Sequence, residues 1–129
     1  MQMSWGFEEN LQVTNKFEVG HRDGLYIING EENPTLTLGR GLNYSFDLDV
    51  EGHPFWIKTE RSTGKQGEYN KGVINNGAQT DVLNFNVSMD APDILYYNCA
   101  IHDTMNGEIR IMNEDDLKVV NLVQKYKIK

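Results

Sequence analysis

Residues 34–52 read PTLTLGRGLNYSFDLDVEG. Leu36 and Leu38 share one parity, and after Gly39-Arg40-Gly41 the residues Tyr44, Phe46, Leu48 and Val50 alternate with polar ones. Apolar side chains at a period of two line one face of an extended strand and leave the other face to water. The stretch therefore predicts a strand, a turn and a second strand, each with one buried face.

The same pattern continues outward in both directions. TDVLNFNVS (80–88) alternates through Leu83, Phe85 and Val87. DILYYNC (93–99) puts Leu95, Tyr97 and Cys99 on one face, with Ile94 and Tyr96 on the other. GEIRIM (107–112) aligns Ile109 with Ile111, and FEV (17–19) and LYIIN (25–29) read as two more short strands bracketed by GHRDG and NGEENP. About seven short strands punctuated by Gly, Asn, Asp and Pro predict an all-β sandwich or Greek-key barrel. The segment 60–81, ERSTGKQGEYNKGVINNGAQTD, is poor in apolar residues and long for a connection, which marks it as a functional or mobile loop. Past residue 112 the period changes. Leu117, Val120, Val123 and Tyr126 recur at helical spacing, Asn113 can cap, Glu114 to Asp116 suit the positive end of a helix dipole, and Lys125 and Lys127 suit the other end. A terminal helix packed on the sandwich is expected, with an edge strand through 117–123 as the alternative.

The 129 residues suit a single domain over 1–129, with its core at about 17–112 and a C-terminal extension over 113–129. One cysteine allows no internal disulfide. A net charge of −7 with no basic stripe argues against nucleic acid, and no run approaches the length of about 20 apolar residues that spans a bilayer. The opening MQMSWGFEEN lacks the basic and apolar regions of an export signal.

The lone cysteine stands in CAIHDTMNG (99–107), with His102 three positions on and Met105 three further. Covalent haem attachment needs a second cysteine, structural zinc needs more thiolate or imidazole ligands, and a Cys–His nucleophile pair on so short a loop has no derivable pocket. A thiolate, an imidazole and a thioether together suit copper, whose blue sites take two His and one Cys in a plane with a weak axial Met. That requires a second His from another strand. Of the remaining two, His21 lies in GHRDG, read as an exposed turn, and His53 lies in EGHPFWIKT at the end of a strand. His53, Cys99, His102 and Met105 are therefore the expected ligands of one type 1 copper ion.

The stretch YYNCAIHDTMNGEIRI resembles the last two strands and short ligand loop of cupredoxins, and the likeness extends through GHPFWIKT and YNKGVINNG over about residues 33–112. The resemblance implies a two-sheet Greek-key sandwich, to which the period past residue 112 adds a short C-terminal helix, and one-electron transfer as the activity. It assigns His53 as the first copper His, Cys99 as the thiolate, His102 as the second His and the electron port, and Met105 as the axial ligand. It implies a redox partner protein, a monomeric carrier without membrane insertion, and a place outside the cytoplasm or in a virion. One departure stands out. Where plastocyanin-like members follow the first His with Asn, whose backbone N–H donates to the cysteine sulfur, this chain has Pro54, which carries no N–H. A copper-binding structural module is the alternative function. A copper oxidase ranks last, because it needs additional histidines and only His21 is left.

Overall fold

A computed structural model describes residues 15–127. Ten strands and one helix follow in order: β1 (Lys16–Arg22), β2 (Leu25–Ile28), β3 (Glu31–Glu32), β4 (Leu36–Gly39), β5 (Asn43–Leu48), β6 (Phe55–Lys58), β7 (Val73–Ile74), β8 (Val82–Asn86), β9 (Ile94–Cys99), β10 (Asn106–Met112) and α1 (Glu114–Lys127). The opening stretch of the chain lies outside the described residues, as do the side chains of Val123 and Tyr126.

The strands form two sheets, ordered β3-β2-β1-β5-β8-β7 and β4-β10-β9-β6. The expected all-β, two-sheet sandwich with a terminal helix is present. Each sheet also contains one parallel pair, β1 with β5 and β4 with β10. These pairs arise because β4 and β5, contiguous in the sequence, belong to different sheets. The Gly39-Arg40-Gly41 turn carries the chain from one layer to the other instead of closing a hairpin.

The alternating residues converge between the layers. Phe17, Val19, Tyr26, Phe46, Leu83 and Phe85 from one sheet meet Leu38, Phe55, Ile57, Leu95, Tyr97 and Ile109 from the other, all buried. Burying each such side chain contributes about 1.5–3 kcal/mol. The aromatic rings touch in series across the core, Tyr26 edge-on to Phe55 with centroids 5.0 Å apart and Phe55 stacked on Tyr97 at 5.4 Å. Gly107 lies opposite Tyr97, and a Cβ there would fall 2.2 Å from the Tyr97 hydroxyl, which donates to Pro34 O at 2.6 Å. Only glycine leaves room for that ring.

The segment 60–81 is laced to β6 instead of standing free. Lys58 is fully buried, and its ammonium donates to the carbonyls of Ser62 and Gly64, the latter at 2.6 Å. Asn76 accepts from Ile57 N and donates to Ile57 O and Tyr69 O. In α1, Leu117 is buried against β4. The helix starts with Leu117 N donating to Asn113 O at 3.0 Å, while the Asn113 side chain, expected as a cap, accepts from Arg40 instead. Among the described residues, no helix is long and apolar enough to cross a membrane.

Candidate metal centre

The site forms where β6 and β9 end side by side. Phe55 pairs with Cys99, and Ala100 N extends the ladder by donating to Pro54 O at 3.1 Å. His53, two residues before Phe55, is thereby set beside the start of the 99–105 loop. A tight turn delivers it there. His53 N donates to Val50 O at 2.8 Å around Gly52, whose φ of 86° is accessible chiefly to glycine. Gln79 fixes the turn by accepting from Gly52 N and, through its carbonyl, from Val50 N.

The loop is closed on itself and tied to both layers. Cys99 N donates to Met105 O at 2.9 Å, and Met105 N to His102 O at 3.3 Å. Gly64 N donates to Ala100 O at 2.7 Å from the laced segment. From the other sheet, Asn33 donates to Thr104 O and Thr104 donates to Gly24 O.

Three donor atoms converge at this end. Cys99 Sγ lies 3.6 Å from His102 Nδ1 and 3.9 Å from His53 Nδ1, and the two Nδ1 atoms are 3.3 Å apart. Metal–nitrogen bonds of about 2.0–2.1 Å and metal–sulfur bonds of about 2.3 Å, spread in one plane, would separate nitrogens by roughly 3.6 Å and nitrogen from sulfur by roughly 3.8 Å. The observed triangle matches that size, so His53, Cys99 and His102 are positioned to bind a metal. Cys99 is buried, His53 partly buried and His102 exposed. Partial burial holds the His53 imidazole below its ordinary pKa, and repulsion from His21 and His102 adds to this. Its nitrogen is therefore favoured in the neutral form that a metal requires.

Met105 is fully buried in the core, with its backbone bonded to both Cys99 and His102. The interior behind the ligand loop thus holds a thioether. Pro54 supplies no N–H to the cysteine. Ile101 N lies 3.4 Å from Cys99 Sγ, and the Pro54 carbonyl is used instead as an acceptor for Ala100 N and for the Tyr26 hydroxyl at 3.0 Å.

One expectation is corrected. His21 does not lie in a turn. It is a residue of β1, and the turn begins at Asp23. It is exposed, as expected, yet its ring lies 4.3 Å from that of His53, centroid to centroid, while His53 and His102 are 4.9 Å apart. All three histidines of the chain gather at one end of the sandwich. Continuing the parity of Phe17 and Val19 by two residues would have pointed to His21. The roles of Tyr26 and Lys58 had no comparable local signal.

No protein-family model matches the sequence, and no curated protein matches it. Solved structures do match the fold. Rusticyanin from Thiobacillus ferrooxidans is 19% identical, with 78% of this chain and 79% of that chain aligned at a TM-score of 0.51. A second rusticyanin structure, described as that of a copper protein, is 17% identical over 78% of this chain and 80% of that chain, with a TM-score of 0.51. Reduced rusticyanin is 16% identical over 78% and 82% of the two chains, again at 0.51. The likeness shows that this chain has the cupredoxin fold.

Proposed function

We propose that this chain, with its cupredoxin fold, is a mononuclear type 1 copper protein that passes single electrons to and from a partner protein. The observation that carries the reading is the triangle of His53 Nδ1, Cys99 Sγ and His102 Nδ1, with sides of 3.3–3.9 Å. Met105, buried behind the same loop, would supply the thioether donor in this proposal. One thiolate, two imidazoles and one thioether form the donor set that suits copper, and thioether sulfur is a poor match for zinc.

When bound, copper supplies a one-electron couple between its two common oxidation states. The chain's own residues do the rest. The ladder from Phe55–Cys99 to Ala100–Pro54 and the closed 99–105 loop hold the donors at a spacing that need not change with charge. Phe55, Tyr97 and Tyr26, all buried, keep water from the inner side. On the outer side, His102 is exposed and Ile101 beside it is 60% exposed, which gives a partner an imidazole edge and an apolar contact at one place. A monomeric carrier working outside the cytoplasm completes the proposal.

The test is voltammetry of the copper-loaded protein. A reversible one-electron wave, with electron exchange that slows when Ile101 is replaced by Glu, supports a carrier. A coloured site with no reversible wave would assign the copper a structural task instead.

A further inference from the structure

We infer that His21 is a positioning residue of the metal centre, holding the His53 ring by packing against it. This rests on the reading of His53, Cys99 and His102 as copper ligands. A metal-binding histidine is ordinarily oriented by a hydrogen bond on its other ring nitrogen, to a carboxylate, a carbonyl or water. The polar contacts of the His53 ring run from Nδ1, to Cys99 Sγ and His102 Nδ1, and among the described residues no hydrogen bond reaches Nε2. What touches the ring instead is the imidazole of His21, with centroids 4.3 Å apart and planes inclined at 45°.

The fold puts His21 there by strand parity. Phe17 and Val19 point into the sandwich, and His21, next on the same face of β1, falls where the core gives way to the open end. Its cross-strand neighbour is Tyr26, whose hydroxyl lies 2.8 Å from His53 O and 3.0 Å from Pro54 O. The pair grips the His53-Pro54 segment at two points. Tyr26 holds the backbone from within, and His21 holds the ring from outside. Pro54 has no N–H with which to join His53 to the cysteine sulfur, so the β6–β9 ladder and the Gly52 turn hold the His53 backbone within its own sheet, and this grip adds a tie from the opposite sheet.

The test compares wild type, His21→Ala and His21→Phe in three measurements: the visible spectrum with Cu(II), copper affinity by chelator competition, and the ring-current shift of the His53 Cε1 proton in the metal-free protein. His21→Ala should weaken copper binding by about tenfold, the lower end for groups that support metal ligands. It should also move the thiolate-to-copper band and reduce the ring-current shift to the part that the His102 ring supplies, while the urea midpoint of the metal-free protein changes little. His21→Phe, which keeps a ring without a metal-binding nitrogen, should restore all three. Unchanged affinity and spectrum in His21→Ala would overturn the inference. So would failure of a folded His21→Phe to restore them, since the nitrogen and not the ring contact would then be what acts. A wild-type protein with no thiolate band would instead overturn the ligand assignment, and this inference with it.

Discussion

Tyr26, rooted in one sheet, places its hydroxyl 2.8 Å from the carbonyl of His53, which leads into the other. The hydroxyl is buried, donates to carbonyls at the metal centre and lies close enough to Cys99 for the two groups to interact. Tyr26→Phe leaves the part-buried His53 carbonyl without a donor, which costs about 1–3 kcal/mol, while Pro54 O keeps the one from Ala100 N. Urea unfolding of the metal-free protein should show that loss. In the copper-loaded protein the thiolate band should shift, because the segment carrying His53 is released on one side.

Met105 separates stability from redox chemistry. Met105→Leu keeps volume and should cost about 1 kcal/mol or less, whereas Met105→Ala opens a cavity in a fully buried position and should cost about 2–5 kcal/mol. If Met105 is the thioether donor proposed above, Met105→Leu removes a ligand that supports the higher oxidation state, and the reduction potential should rise with copper still bound. An unchanged potential, read by voltammetry, would remove Met105 from the ligand set.

Lys58 anchors the segment that braces the ligand loop. Lys58→Met leaves the carbonyls of Ser62 and Gly64 without their donor and should destabilise the protein by about 1–3 kcal/mol. Hydrogen exchange should speed up at Gly64, which bonds Ala100 O, and at Thr59, which bonds Gly67 O. Amides in β8, which open only with the whole fold, should speed up by no more than that global loss.

Burial raises the pKa values of Tyr26, Tyr44 and Tyr97. A group whose native value is raised contributes stability that is present below its unfolded value and lost above it, so stability should fall as pH climbs past about 10. Burial lowers the value of Lys58, so its penalty fades as pH rises toward about 10.4 and works in the opposite sense. Absorbance at 295 nm should show these three tyrosines ionising only together with the loss of native circular dichroism. Their free titration in the folded protein would contradict the packing.

Much of this architecture is legible one strand at a time. Leu83, Phe85 and Val87 announce their buried face by alternation, and so do Leu95, Tyr97 and Cys99. Pairing is a different matter. Nothing local says that β4 lies parallel to β10, because a strand's pattern records which face is buried and not which neighbour it has. The two-residue strands β3 and β7 are too short to carry a period. The ligand types were readable from residue chemistry, but the convergence of His53 on Cys99 depends on the Phe55–Cys99 register, and the burial of Lys58 depends on a loop folding back over it. His21 lay between these cases. Its parity was legible, but the surrounding Gly-His-Arg-Asp-Gly composition pointed to a turn.

The central claim is that Cys99, His53 and His102 together hold copper, and titration of the metal-free protein with Cu(II) tests it most directly. One equivalent should produce an intense visible thiolate-to-copper band in wild type, and that band should be absent in Cys99→Ser. If wild type stays colourless, or if the band survives in Cys99→Ser, the account is wrong.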